Sequence, residues 1–145
     1  MKLVDTSAWV HQMRPKGDPF VRARVEALLR AGDAVWCPMV RLEIWAGVGN
    51  EKERRTLRDY DSVLPSLAID DDVWRSAFDL ASRARSGGKT IPPSDILIYA
   101  CARHHGVEME HADAHFDLLA ELDGVESTIA AHQRSARVPG SRARS

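Results

Sequence analysis

Four carboxylates stand where carboxylates are costly to place. Asp5 ends the short β-prone run Lys2–Val4, and Asp113 follows the late candidate strand Val107–Ala112. Asp95 opens the apolar stretch Ile96–Ala102, and Glu43 sits among Val40, Ile44 and Gly47 on a short apolar helix. Each has an ordinary explanation on its own. Asp5 suits an Asx turn, Asp95 a first-turn acid favoured by the helix dipole, Asp113 an N-cap, and Glu43 an ion pair with Arg41 or Arg103. Taken together, two strand-end acids and two acids on apolar helices are better explained by convergence on one pocket, because acids are rarely buried without a partner. The local motifs supply no basic partner, so such a pocket calls for a hard divalent cation. Carboxylate oxygen and water suit Mg²⁺, with Mn²⁺ as a substitute.

Alternating strands and helices must position these acids. Lys2–Val4 reads as a strand, with Ser7 as cap of a helix from Ala8. Asp18-Pro19 opens a second helix, whose stripe Val21, Val25, Leu28 and Leu29 runs to Gly32. Ala34–Cys37 reads as a strand, Pro38–Gly47 as a helix, and Glu51–Val63 as a charged helix with Leu57, Tyr60 and Leu64 on one side. Ser66–Ile69 is a weak strand candidate. Asp70–Arg85 reads as a helix with Trp74, Ala77, Phe78 and Ala81 inward, ended by Gly87-Gly88. A buried helix starts at Ser94 or Asp95 and stops before Gly106. Phe116, Leu119 and Leu122 mark a last helix, and Gly124–Ile129 an added edge strand. This alternation predicts an α/β fold with a parallel sheet between helix layers, and ligands at the carboxyl ends of its strands.

The 145 residues suit one domain, expected over 1–130, with a basic, disordered tail over 131–145. The formal charge of −1 hides an asymmetry. Arg134, Arg137, Arg142 and Arg144 lie in a tail without acids, and residues 1–132 carry 16 basic against 21 acidic residues. A binder of polyanions is usually basic overall, so the acids need an account of their own. The longest apolar run has seven residues (Ile96–Ala102), far short of the roughly 20 that span a bilayer. No secretory h-region forms at the N-terminus. Cys37 and Cys101, both in apolar runs, read as buried thiols of a reducing cytoplasm.

Weaker constellations have ordinary readings. His111 and His115 are four apart beside His104-His105, but without a paired Cys or an HExxH motif they read as capping and surface histidines rather than a zinc site. Trp36, Trp45 and Trp74 read as core or interface residues, and Trp9, just past Asp5, as the one to test for contact with a polymeric substrate. Arg14, Lys16 and Arg41 are the cations suited to line a groove.

At these residues the chain resembles PIN-domain ribonucleases, above all VapC toxins of bacterial toxin–antitoxin pairs. The likeness rests on Leu3-Val4-Asp5-Thr6-Ser7, on Glu43 in Arg-Leu-Glu-Ile-Trp-Ala-Gly, on Asp95 in Ile-Pro-Pro-Ser-Asp-Ile-Leu-Ile-Tyr-Ala, and on Asp113 in His-Ala-Asp-Ala-His-Phe-Asp. It runs in order over about residues 1–125. The resemblance implies a three-layer α/β/α sandwich around a mainly parallel sheet of four to five strands. It also implies a Mg²⁺-dependent endoribonuclease leaving 5′-phosphate and 3′-hydroxyl ends, a homodimer, and a cognate VapB-like antitoxin. Asp5, Glu43, Asp95 and Asp113 match the family's acidic site. Ser7 matches a hydroxyl residue supporting the first acid, and Asp117 a fifth acid of some members. Glu108 and Glu110 depart from the usual apolar strand, which suggests one exposed face there.

Two rival classes carry sequence marks of their own. A haloacid-dehalogenase-type phosphatase needs a second Asp two residues after the nucleophile, where this chain has Ser7, and a receiver domain needs a Lys on its late strand, where there is none. A non-catalytic PIN-like interaction module would have lost the acids, and all four are present.

Overall fold

The computed structural model describes the backbone of residues 1–135 and side chains as far as Gly124. The described elements are β1 (Lys2–Val4), α1 (Thr6–Met13), α2 (Pro19–Ala31), β2 (Ala34–Val35), α3 (Pro38–Gly47), α4 (Glu51–Val63), α5 (Asp71–Ser86), α6 (Pro93–His104), β3 (Glu108–Glu110) and α7 (Ala114–Ser135). The result is a small parallel sheet flanked by helices.

The sheet order is β2-β1-β3. Leu3 stands opposite Val35 on one side and Met109 on the other, both pairings parallel. The chain leaves β1 for one neighbour and later returns past it to the other, so strand order reverses at the carboxyl end of β1. In open α/β sheets that reversal opens the crevice where ligands bind. The Asp5 N–H donates to the Glu110 carbonyl at 2.9 Å, which extends the ladder one step to the first acid.

Local chemistry starts and stops α2 as read, and caps two later helices. Asp18 accepts the N–H groups of Phe20 (2.8 Å) and Val21 (3.2 Å) ahead of Pro19, and Gly32 closes α2 at φ +70°. Asn50 and Asp70 cap α4 and α5 through the N–H groups of Glu53 and Val73. Leu3, Val4, Val35, Val40, Ile98 and Leu119 are fully buried between sheet and helices, where each contributes roughly 1.5–3 kcal/mol of apolar burial. Both cysteines are buried free thiols. No described helix is long and apolar enough to cross a membrane.

Five local expectations are corrected. The sheet has three strands rather than four or five: Ser66 makes only an isolated bridge to Trp36, because β2 passes at once into α3 through Cys37 and Pro38, which has no N–H to give. Gly124–Ile129 belongs to α7 rather than to an edge strand. Leu118, Leu122, Val125 and Ile129 keep helical spacing, and one internal glycine costs a helix only about 1 kcal/mol. In α5 the buried stripe is Val73, Ala77, Leu80 and Ala84, leaving Trp74 44% and Phe78 65% exposed as a ring pair 6.1 Å apart. In β3 Glu108 is exposed, but Glu110 is buried and paired with Arg24 of α2. The cap of α1 is Asp5 rather than Ser7. As for the basic tail, α7 continues to Ser135 and residues 136–145 lie outside the described residues.

Candidate functional site

Three helix starts meet at the carboxyl ends of β1 and β3, and each brings an acid. Asp5 is the N-cap of α1, and its Oδ2 accepts the Ser7 N–H at 2.9 Å. Asp95 lies in the first turn of α6, behind the Pro92-Pro93 entry. Asp113 immediately precedes α7, and its Oδ1 accepts the His115 N–H at 2.9 Å. The ordinary local roles are therefore real, and they aim the carboxylates. The positive ends of the helix dipoles offset part of the cost of gathering them. Glu43 comes from α3, where Thr6 Oγ1 donates to its Oε1 at 3.0 Å. The ion pairs open to Glu43 on paper do not form: Arg41 pairs with Asp61 at 2.9 Å and Arg103 with Asp123.

Burial first, and neighbouring carboxylate charge second, raise the protonation tendency of Asp5, Glu43 and Asp95. Burial holds Asp5 above the ordinary carboxylate value, against the opposing Ser7 and Thr6 hydrogen bonds and with a further push from the charge of Asp113. Burial also lifts Asp95, with repulsion from Asp5 and Asp113 added and His115 opposing. Glu43 is lifted by burial, lowered by Thr6, and pushed up by Asp5 and Asp95. Asp5 Oδ1 is buried and has no hydrogen-bond partner. No Lys or Arg forms an ion pair with any of the four among the described residues. An orphaned carboxylate oxygen in a cluster of like charges fits a divalent cation.

Ser7 supports the site through another chain segment. Its Oγ accepts the Ala112 N–H at 3.0 Å and so ties the turn that carries Asp113 to the start of α1. Ser7→Ala is expected to lower stability by roughly 0.5–1.5 kcal/mol, the net worth of one hydrogen bond, and to loosen Asp113. Melting curves with a cleavage assay check it, and the activity loss should exceed what the stability loss explains. Asp117 is mostly exposed and faces His111 at 3.6 Å, outside this group.

One participant was passed over as a capping and surface residue. His115 Nδ1 lies 3.0 Å from Asp95 Oδ2 and 3.1 Å from Asp113 Oδ1. The available signal was its place two residues after a strand-end acid, in a helix's first turn. His111 packs its ring on Phe116 instead, and no donor group among the described residues joins His111 to His115. Trp9, the residue singled out for substrate contact, is fully buried against Trp36 and Tyr60. Arg41, held by Asp61 and stacked 5.5 Å from the Trp36 ring centroid, is also engaged. Arg14 lines a groove with Thr6, Glu43 and Val48 beside the acids.

The PIN domain family matches residues 2–122. The chain belongs to the PIN-domain family. Among its PIN relatives, Ribonuclease VapC11 of Mycobacterium tuberculosis is 34% identical over 131 residues, covering 88% of this chain and 97% of the relative. The crystal structure of VapC20 from the same organism, a sarcin-ricin loop cleaving toxin, superposes with a TM-score of 0.65 at 17% identity, over 81% of this chain and 94% of that one. VapBC-5, a member of the VapBC family of toxin-antitoxin systems, gives a TM-score of 0.58 at 18% identity, over 81% and 89%. The solved neighbours share the PIN fold, and the VapC11 likeness places this PIN domain among the VapC proteins.

Proposed function

We propose that this PIN-domain protein is a Mg²⁺-dependent endoribonuclease, the toxin of a toxin–antitoxin pair, acting in the cytoplasm. The observation that carries the reading is the orphaned Asp5 Oδ1 within a cluster of carboxylates that lacks a Lys or Arg counter-charge among the described residues. The ribonuclease name of the VapC relatives supports it. Asp5 and Asp95 would hold the cation directly, with Asp113 completing its shell. A divalent ion in such a site lowers the pKa of water and offsets charge on phosphoryl oxygens.

The chain's own residues do the rest. Glu43, raised above its ordinary value and steadied by Thr6, orients the attacking water and takes its proton, a task best served by a pKa brought nearer neutrality. Thr6 keeps the Glu43 carboxylate turned toward the other acids. Arg14, on the groove wall next to Glu43, holds the RNA backbone, since an acidic centre needs nearby cations to retain a polyanion. A VapB-like antitoxin would silence the site by placing an Arg or Lys among the carboxylates, a charge-assisted contact the cluster favours. The homodimer that the resemblance implies belongs to the same reading, and sedimentation velocity tests it.

Expression of the chain without its antitoxin is expected to stop growth, while Asp5→Asn expressed equally well is harmless. Mapping new 5′ ends in cellular RNA after induction then identifies the target. Normal growth with abundant folded wild-type protein, together with no Mg²⁺-dependent cleavage of total RNA in vitro, rejects the reading.

A further inference from the structure

We infer that His115 Nδ1 is itself a ligand of the divalent cation, and that it tilts the site toward first-row transition ions over Mg²⁺. The inference rests on the metal-dependent reading above and adds a donor that the acids alone would not supply.

Three donor atoms already stand together. Asp95, Asp113 and His115 offer one ligand atom each, all within 4.8 Å of one another. Nδ1 is 3.0 Å from the Asp95 oxygen and 3.1 Å from the Asp113 oxygen. In an octahedral shell with bonds of about 2.1 Å, neighbouring donors lie about 3.0 Å apart, so both separations match adjacent positions around one ion. The ring is also placed by its own backbone: the His115 N–H donates to Asp113 Oδ1 at 2.9 Å. That bond sets the first turn of α7 and keeps the imidazole over the two acids. Without a cation Nδ1–H is the donor to the two carboxylates; a bound cation would take the place of that proton, leaving a neutral imidazole with its hydrogen on Nε2 and its Nδ1 lone pair on the ion.

The consequence is selectivity. Mg²⁺ is hard, keeps its waters and prefers oxygen. A nitrogen donor favours first-row ions, whose affinity for mixed sites rises along the series from Mn²⁺. A site of carboxylates alone has a weaker bias of this kind.

The test is pulsed electron paramagnetic resonance of Mn²⁺ added to the purified full chain. The ¹⁴N modulation of a directly bonded imidazole is expected in wild type. It should vanish in His115→Gln, which still binds Mn²⁺ through its acids, and persist in His104→Gln, which alters the separate exposed group of Asp70, Asp72 and His104. In competition, the preference for Mn²⁺ over Mg²⁺ should fall about tenfold in His115→Gln, the lower end of what metal-site neighbours contribute. Bound Mn²⁺ without nitrogen coupling in wild type overturns the inference and leaves the nuclease reading standing. Coupling that survives in His115→Gln, or disappears in His104→Gln, also overturns it. Failure of wild type to bind Mn²⁺ at all overturns both.

Discussion

Asp95→Asn is expected to abolish metal-dependent behaviour while sparing the metal-free fold. The substitution keeps shape and an acceptor oxygen but removes one charge from a cluster that repels itself. Asp95 is held above its ordinary value by burial, then by repulsion from Asp5 and Asp113. Relief of that repulsion should leave metal-free stability at pH 7 unchanged or raise it. The sign follows from linkage. A carboxylate whose folded pKa is raised contributes its full stability below the unfolded value, near pH 4, and loses it as pH rises through the folded value. Wild type therefore declines with rising pH through this group and Asp95→Asn does not. The two melting temperatures should converge near pH 4 and separate toward pH 7, with the variant higher.

Added Mg²⁺ reverses the order. Saturating cation at about 100 times its dissociation constant stabilises the folded state by about 2.7 kcal/mol, and Asp95→Asn should forfeit most of that. Cleavage should fall by more than about 100-fold, since even groups one step removed from a metal cost roughly 10–100-fold. If Asp95 served only the dipole of α6, stability would fall by about 0.3–1 kcal/mol and activity would survive. Melting curves at pH 4 and 7, with and without Mg²⁺, beside an RNA cleavage assay, separate the two.

Trp9→Ala should produce the largest loss of stability. The indole is fully buried, 5.2 Å from the Tyr60 ring and 6.1 Å from the Trp36 ring between centroids, at 61° to the latter. Tyr60 in turn donates its hydroxyl to Gln12 at 3.0 Å, so this cluster fastens α4 to α1, the helix that Asp5 caps. Emptying such a site costs about 3–5 kcal/mol, a large share of the roughly 5–15 kcal/mol that holds a domain together. Urea unfolding of wild type and Trp9→Ala measures it. An unchanged midpoint accompanied by weaker RNA binding would return Trp9 to the substrate surface.

What could be read from the residues alone was what depends on near neighbours in the chain. Asp18-Pro19, Asp70 and Gly32 start or stop helices through bonds spanning two to four residues, so those boundaries were legible. The candidate acids were legible for the same reason. Asp5, Asp95 and Asp113 sit at helix starts where a carboxylate has a local purpose, and their apolar surroundings were visible as an excess over that purpose. The parallel α/β class followed from alternation alone.

Packing across the chain decided the rest. In α5 the stripes led by Val73 and Trp74 are one residue apart and both keep helical period, so only the neighbouring helices select which is covered. Three strands replaced four or five because β2 runs straight into α3, and the pairing of Ser66 with Trp36 ends after one residue. The burial of Trp9 depends on Tyr60, 51 residues away in the chain. His115 joins Asp95 across 20 residues, and Ser7 holds the turn before Asp113 across 105. Such contacts leave no periodic mark, because a side chain's long-range partner is set by how helices and strands stack rather than by the residues beside it.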